Sequence, residues 1–407
     1  MKLSLKASFL ISTAAVSAIF SNITSAQTTD PPDNTAAPVE VFYVTDRAPL
    51  PLEDGSTSYG ASRSHSLAFG SVSVWGKDAS AASLSAPNEI GRFPKTPYKI
   101  EHADGFAKRD GSITAEHTKT MALMKKELST RIKEKKRHEA VVFIHGYNNS
   151  FDDAARSAAQ LCNDLGPENY LCIALTWPAG GSKGVLFGYN VDRESGEFAV
   201  ADIRKAIRAI GATPGLHKLH FVAHSRGTDV LASAFQQLAI ESYAAQSSFA
   251  SQLKIANVIL AAPDMDMDVA FTRVLGVVSD PETLHGNKPD YKAKFKYGDM
   301  HLTVYASHKD KALELSKALF GSEERLGLLD SSANAMEIDL AANAAGITDF
   351  VSVENGGGFI GHSYFLSTPE VRADLAAVIK DGKRPGEEGR SLVEVRPPFW
   401  ILPSRQQ

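Results

Sequence analysis

The stretch from Lys218 to Phe235, KLHFVAHSRGTDVLASAF, decides the fold class. Its first part, residues 219–223, is a short apolar run typical of a buried strand, and residues 228–235 begin a helical pattern. A serine between such a strand and helix is held on a tight turn that exposes its hydroxyl at the end of the strand. Ser225 is therefore a candidate nucleophile, although serine is also common as the residue that starts a helix.

Small residues flank this serine where the strand and the helix must approach each other closely. Gly227 lies two positions after Ser225, and Ala223 lies two positions before it, where the pattern G-x-S-x-G has its first glycine. Alanine is still small enough for such a turn. The free N–H groups at the start of the helix favour negative charge, as a reacting oxygen requires. These features favour the nucleophile over a simple helix start.

Apolar strands alternate with helical segments on both sides of this stretch. Two candidate strands, 39–44 and 66–75, come first and form an N-terminal β extension. The strands that follow lack the alternation of polar and apolar residues; they cover 140–144, 170–175, 219–223, 255–261, 302–306 and 347–353. Continuous apolar strands separated by helices are typical of a parallel sheet covered on both faces. The sequence therefore predicts an α/β fold with a mostly parallel central sheet flanked by helices.

Composition narrows the class of protein further. The chain has 407 residues, of which 43% are hydrophobic and 22% charged, so it can form a large core. Its net charge is −4 and it has no long basic run, which argues against a dedicated nucleic-acid-binding protein. No apolar stretch of transmembrane length follows the N-terminal region. No stable membrane span is therefore expected in the mature chain.

The N-terminus has the pattern of an export signal. Lys2 and Lys6 precede the apolar run 9–20, and small residues end at Ala26, a suitable cleavage point. An uncleaved anchor is the alternative, which the shortness of the run disfavours. We expect a periplasmic or secreted bacterial protein. Its predicted parts are a signal peptide (1–26), a disordered leader (27–38), one α/β domain (39–383) and a C-terminal tail (384–407) that can dock on the body.

Cys162 and Cys172 are the two cysteines of the chain, on a predicted helix and on the strand after it. A pair in an oxidising compartment can form one disulfide bond. Buried free thiols are the more common state of core cysteines, and we favour that interpretation here.

Three side chains past strand ends occur in the order serine, acid, histidine. Ser225 follows one strand, Asp310 follows strand 302–306, and His362 follows strand 347–353. Carboxyl ends of parallel strands meet at one edge of a sheet, where ligands bind. A serine hydroxyl needs a base to attack a carbonyl, histidine suits neutral pH, and an acid must orient the imidazole. We predict Ser225, His362 and Asp310 as the catalytic residues.

Other residues compete for two of these roles. Asp264 also follows a strand and is the alternative acid, while Asp310 also suits the start of the next helix as an N-cap. His145 and His308 are rival bases; His145 is better placed to orient the loop after its strand, and His308 lies on the wrong side of the acid. His362 can also be an ordinary loop histidine.

Tyr147 and Arg226 are the predicted oxyanion-hole residues. Arg226 directly follows the nucleophile, and its N–H is one donor. The second donor comes from the loop after strand 140–144, where Gly146 permits a sharp turn that aims the Tyr147 N–H inwards. Asn148 is the alternative donor in that loop.

No cofactor and no metal are predicted. The run from Gly356 to Gly361 satisfies G-x-G-x-x-G, but it opens no predicted helix, so a dinucleotide site is not expected. It is better interpreted as a flexible loop that lets His362 reach Ser225. Cysteine and histidine residues show no metal-ligand spacing.

Several motifs together resemble a bacterial family of α/β-hydrolases of unknown function, which are esterase- or lipase-like serine hydrolases. The motifs are FYVTDR (42–47), VFIHGYN (142–148), TWPA (176–179), DRE (192–194), AHSRG (223–227) and 305–313. The resemblance covers most of the chain, from about Val39 to Ile379. It implies an α/β-hydrolase fold, with Ser225, Asp310 and His362 as the matching triad.

The function expected from these residues is the hydrolysis of small-molecule or lipid-like acyl esters through an acyl-enzyme intermediate. Acyl transfer, or amide or peptide hydrolysis, by the same residues is the first alternative. A catalytically silent envelope-binding protein that keeps the fold is the second, since fold alone does not determine function.

Overall fold

The computed structural model describes residues 37–181, 185–245, 247–279, 300–322, 324–332, 338–339, 341–342, 344, 346–354 and 362–403. The predicted signal peptide and nearly all of the predicted leader lie outside these residues. So does the glycine-rich run from Gly356 to Gly361.

A single large sheet organises the chain. Its strand order is β13-β14-β12-β11-β10-β9-β7-β8-β1-β2-β3, and β4 pairs with β2. The central strands are β1 (Val39–Pro51), β7 (Glu139–Ile144), β8 (Tyr170–Thr176), β9 (Lys218–His224), β10 (Ile255–Ala261), β11 (His301–Ala306) and β12 (Thr348–Val353). In the sheet these strands lie in the order β12-β11-β10-β9-β7-β8-β1, and each pair of neighbours among them is parallel. The parallel sheet predicted from the apolar runs is confirmed.

Antiparallel strands complete the two edges of the sheet. On one side they are β2 (Thr57–Trp75), β3 (Ser83–Leu84) and β4 (Asn88–Arg92). On the other side they are β13 (Val393–Arg396) and β14 (Phe399–Leu402), of which β14 pairs parallel with β12. A separate hairpin is formed by β5 (Ile100–Ala103) and β6 (Phe106–Arg109).

Helices connect the parallel strands and cover both faces of the sheet. They are α1 (Gly111–Lys133), α2 (Phe151–Leu165), α3 (Val185–Gly211), α4 (Gly227–Ala244), α5 (Phe249–Gln252), α6 (Met267–Ser279), α7 (Lys311–Phe320), α8 (Tyr364–Ser367) and α9 (Pro369–Asp381). A 3-10 turn spans Leu326–Leu328. Within the described part of the chain, no helix combines the length and apolarity needed to cross a membrane.

Successive residues of the central strands enter two separate cores because side chains of a strand alternate between its faces. On β9, Phe221 packs in one core and Val222 in the other. On β7, Val142 packs in the same core as Phe221, and Val141 packs in the same core as Val222. Every residue of β7 and β8 is buried, so these strands have no polar face. This double burial explains why the sequence shows continuous apolar runs.

Two stretches contain strands that the sequence analysis did not assign. Residues 77–105 contain β3, β4 and β5, which are too short to show a period. The predicted C-terminal tail, 384–407, supplies β13 and β14 to the sheet instead of only docking on the body.

Cys162 and Cys172 form a disulfide bond between α2 and β8, with their Cα atoms 6.0 Å apart. The prediction of buried free thiols was therefore wrong. Both cysteines are buried, as expected, but the helix packs on the strand that follows it and brings the two sulfur atoms together. The sequence showed both positions to be in the core without showing this packing.

Candidate active site

Ser225 lies on a strained turn between β9 and α4. Its backbone φ is +52°, in the left-handed region that a side chain rarely adopts. The turn is held by its own backbone, since the Ser225 N–H donates to the Ala261 carbonyl at 3.0 Å and the Ser225 carbonyl accepts from the Thr228 hydroxyl at 2.6 Å. Such strain at a polar residue is typical of a functional position.

Two glycines permit the loop after β7 to pass directly over this turn. A Cβ atom on Gly227 would lie 2.2 Å from the His145 carbonyl oxygen, and a Cβ atom on Gly146 would lie 2.7 Å from the Ser225 Cβ. Neither position can hold a side chain. The predicted small residue at 227 is thus required by a neighbouring loop as well as by the following helix.

The structure brings Ser225, His362 and Asp310 into one hydrogen-bonded line. His362 Nε2 lies 2.8 Å from the Ser225 Oγ, and His362 Nδ1 lies 2.7 Å from Asp310 Oδ2. Asp310 is fully buried, whereas the His362 side chain is 18% exposed. The three residues follow the ends of β9, β11 and β12, and they lie 85 and 52 positions apart in sequence. This arrangement can pass a proton from the serine to the imidazole.

Asp310 makes the hydrogen bonds that both of its predicted roles require. Its Oδ1 accepts hydrogen bonds from the Ala312 and Leu313 N–H groups at 3.0 and 3.1 Å, so it is the N-cap of α7. Its Oδ2 accepts from His362. The helix cap therefore holds the carboxylate rigid and leaves one oxygen for the imidazole.

The electrostatic surroundings of His362 favour its protonated form. Burial disfavours the imidazolium, but the charge and the hydrogen bond of Asp310, together with the charge of Asp264, outweigh that effect and raise the pKa of His362. A base with a raised pKa binds a proton from a hydroxyl more readily.

Asp264, the alternative acid, lies beside this line and has other partners. Its Oδ1 accepts from the Ser316 hydroxyl at 2.7 Å, and its Oδ2 accepts a short hydrogen bond from the Tyr189 hydroxyl. Arg325 Nε lies 3.7 Å from the same carboxylate. The Asp264 N–H also donates to the Ser225 carbonyl at 3.3 Å. Asp264 thus supports the turn, whereas Asp310 bonds the imidazole.

His145 belongs to a buried layer beneath the turn. Its ring stacks on Trp177 with 5.0 Å between ring centres, its Nε2 accepts from the Trp177 N–H at 3.0 Å, and its Nδ1 donates to the Gly146 carbonyl at 2.9 Å. Burial and the nearby charge of Arg47 lower the pKa of His145 to about 3. It is therefore a neutral ring that orients its loop, as the sequence predicted. His308 is exposed and lies near Asp330.

Arg47 and Asp192 hold the loops that follow β7 and β8, and neither was predicted as a site residue. The Arg47 guanidinium donates to the carbonyls of Ala179 and Asn149 at 3.0 and 2.6 Å. The Asp192 carboxylate accepts from the N–H groups of Asn148 and Gly180 at 2.8 and 3.0 Å. Both side chains are about 1% exposed. Their only signal in the sequence is their presence in the motifs FYVTDR and DRE.

The predicted oxyanion residues, Tyr147 and Arg226, directly follow Gly146 and Ser225, two residues whose backbones pack against each other. Tyr147 follows Gly146 in the loop over the turn, and its ring lies 5.3 Å from the Tyr189 ring. Arg226 is at the start of α4, where N–H groups lack partners within the helix. The alternative donor, the Asn148 N–H, is already bonded to Asp192.

A scan against protein-family models matches residues 120–381 to the model described as "Alpha/beta hydrolase of unknown function (DUF900)". The match spans more than half of the chain and includes β7 to β12 and all three residues of the hydrogen-bonded line. A search of curated proteins found no match to the chain.

Proposed function

We propose that this chain, which belongs to that family of alpha/beta hydrolases, is a serine hydrolase that cleaves carboxylic esters. The observation that carries the proposal is the line from Ser225 through His362 to Asp310, with hydrogen-bond distances of 2.8 and 2.7 Å. A serine, a base and an orienting acid in that geometry are the groups that acyl transfer needs.

In the first half of the reaction, Ser225 Oγ attacks the ester carbonyl carbon while its proton passes to His362 Nε2. Asp310 keeps the imidazole in the tautomer whose Nδ1 carries a proton, and it stabilises the imidazolium that forms. His362 then gives the proton to the leaving alkoxide oxygen, the C–O bond breaks and the alcohol departs. The acyl group is now bonded to Ser225.

The negative charge that develops on the carbonyl oxygen is stabilised by the N–H groups of Tyr147 and Arg226. Backbone donors aimed at this oxygen are worth a factor of about 10² to 10³ in rate each. The Gly146 backbone passes against Ser225, which supports the placement of the next N–H near the reacting carbon. Asp192 and Arg47 keep that loop in position.

In the second half, His362 accepts a proton from water, and the resulting hydroxide oxygen attacks the acyl carbon. The proton returns to Ser225 Oγ as the bond from that oxygen to the acyl carbon breaks, and the carboxylic acid departs. An amine or an alcohol in place of water gives acyl transfer, and an amide in place of the ester gives amide hydrolysis. The same residues would act in each.

We also propose that the protein is exported and acts in the bacterial periplasm or outside the cell. The disulfide bond between Cys162 and Cys172 supports this because such bonds persist in oxidising compartments. The first residue of the mature chain, identified by mass spectrometry of protein from the periplasm, tests it. We expect Gln27, and a mature chain that begins at Met1 would contradict the proposal.

The test of the reaction is labelling of the mature protein with a fluorophosphonate probe, together with hydrolysis of p-nitrophenyl esters of increasing chain length. We expect wild-type protein to be labelled and Ser225→Ala to remain unlabelled. Ser233→Ala is the matched control, since it removes a buried hydroxyl from α4, the helix that follows Ser225. The ester series then gives the preferred acyl length.

Two outcomes would contradict this assignment in different ways. Labelling that persists in Ser225→Ala would place the nucleophile elsewhere. Folded wild-type protein that neither reacts with the probe nor hydrolyses any ester would favour a binding protein that keeps the fold.

A further inference from the structure

A cavity lies between α1, α3, the end of α4 and α5, and none of its lining residues belongs to the candidate active site. Its volume is about 750 Å³, within the range of small-molecule sites in proteins. Its lining includes the buried side chains of Leu238, Phe249 and Leu253, together with the half-buried Met121. The cavity therefore has an apolar floor.

Cationic side chains outnumber carboxylates in this lining. They are Arg109, Lys125, Arg204, Lys205 and Arg208, whereas the one carboxylate among the lining residues is Glu241. The whole chain carries a net charge of −4, so this concentration of positive charge is local. A low-dielectric floor beneath such a rim strengthens its field.

The existing ion pairs neutralise only part of this charge. Arg204 and Arg208 share Glu241, and Lys205 pairs with Asp202 at 2.8 Å. Arg109 and Lys125 form no ion pair with any residue that the structure describes. These two cations are therefore available to an anion from outside the chain.

Unsatisfied polar atoms also occur in the lining. The Tyr98 hydroxyl and the Arg204 Nε are buried and have no hydrogen-bond partner within the described ranges. Buried polar atoms in proteins are almost always paired, so orphaned donors indicate a missing partner. Burial lowers the pKa of His117, which belongs to the same lining, and the nearby charges of Lys205 and Arg109 lower it further.

We propose that this cavity binds an amphiphilic organic anion: an acid group, carboxylate or phosphate, held by Arg109 and Lys125, with an apolar chain against Leu238, Phe249 and Leu253. The charge and the apolar floor are both needed. A free inorganic anion would leave the floor unoccupied, and a neutral chain would leave the cations unpaired.

Isothermal titration calorimetry of the full mature chain with decanoate tests the proposal, with 1-decanol as the neutral ligand of the same chain length. We expect one decanoate per chain and much weaker binding of 1-decanol. The double variant Arg109→Gln/Lys125→Gln should weaken decanoate binding by about tenfold or more, because two charge-assisted contacts are lost.

Lys108→Gln/Lys126→Gln is the matched control. These lysines are the exposed sequence neighbours of Arg109 and Lys125 and lie outside the cavity lining, so the pair removes the same charge from the same elements. Its decanoate affinity should stay within about twofold of wild type. Unchanged thermal unfolding of both double variants shows that folding is intact.

Four results would overturn the proposal. The first three are equal affinity for decanoate and 1-decanol, equal weakening in the two double variants, and binding to vesicles of phosphatidylglycerol without binding of free decanoate. The third result would indicate a membrane-facing surface instead of a small-molecule site. A decanoate site that is unaffected by Arg109→Gln/Lys125→Gln would likewise place the ligand elsewhere.

Discussion

Two histidines at the same edge of the sheet have opposite surroundings. His362, past β12, contacts the Asp310 carboxylate, and its pKa is raised. His145, past β7, is wholly buried near the Arg47 guanidinium, and its pKa is lowered to about 3. The difference teaches that the position after a strand does not determine the role of a histidine. The role of each histidine depends on the charge of its nearest buried neighbour, because that charge determines whether the imidazole can hold a proton.

The two histidines belong to two different layers of side chains. The upper layer, Ser225, His362 and Asp310, has one partly exposed member and can exchange protons with a ligand. The lower layer, Arg47, His145 and Trp177, is buried and bonds mostly to backbone groups. We expect changes in the upper layer to affect the chemical step, and changes in the lower layer to affect stability or the placement of Tyr147.

The largest effect is expected from Asp310→Asn. An asparagine keeps the cap of α7 but removes the charge that orients His362, so kcat should fall by about 10⁴. Asp264→Asn is the matched control and should cost far less, because Asp264 bonds Tyr189 and Ser316 instead of the imidazole. Ester hydrolysis by both variants measures this. A larger loss in Asp264→Asn would make Asp264 the acid.

The next effect concerns acid stability and comes from His145. Its folded pKa is about 3, below the unfolded value near 6.5. Between these values only the unfolded state binds the proton, so the stabilisation is complete above about pH 6.5 and is lost as pH falls. Between pH 7 and pH 4, the free energy of unfolding of the wild type should fall by about 3 kcal/mol more than that of His145→Gln. Urea titrations at the two pH values measure this difference. Identical losses would show that His145 does not contribute.

Arg47→Met should reduce kcat by about 10² to 10³ with a small change in KM, because the loop that holds Tyr147 loses its anchor. Arg47→Lys keeps the charge but cannot reach the carbonyls of Ala179 and Asn149 together, so it should rescue activity only in part. Arg63→Met, at an exposed position of β2, is the matched control. Wild-type kcat in a folded Arg47→Met protein would mean that the lower layer does not position the oxyanion donor.

The smallest effect is a displacement of the pH profile. A general base must be neutral, so kcat/KM should rise with pH through a pKa above the usual value for histidine, since Asp310 and Asp264 raise that of His362. Asp264→Asn removes one of these charges, so the rise in kcat/KM should occur at a lower pH than in the wild type. At pH values above this rise, kcat should change by less than about tenfold. A rise at the same pH in both proteins would show that Asp264 does not act on His362.

Much of this architecture could be read from the sequence because it depends on burial and chain order. The continuous apolar runs predicted the parallel sheet, since β7 and β8 are buried on both faces. Turn chemistry around Ser225 predicted a serine at a strand end. The resemblance of the motifs to an α/β-hydrolase family is confirmed by the match to residues 120–381. The assignment of Ser225, His362 and Asp310 to catalysis stays a prediction that the geometry supports.

Features that depend on contacts between distant residues could not be predicted. Arg47 and Asp192 are ordinary charged residues in sequence, and only packing places them beneath the loops after β7 and β8. The disulfide bond was missed because α2 folds back on β8. The edge strands β13 and β14 were missed because four-residue strands show no period and depend on neighbouring strands for their hydrogen bonds. Strand β14 pairs with β12, and β13 pairs with β14.

Sequence alone determined which residues are apolar, where the strands end and in what order a serine, an acid and a histidine follow them. These properties are local, since they come from periodicity, turn residues and composition. Tertiary structure decided which carboxylate faces His362 and which histidine is kept neutral. Those choices depend on distances of a few ångströms between strand ends, and electrostatic energy in a buried site changes steeply over such distances. For that reason Asp310 and Asp264 look alike in the sequence and differ in the fold.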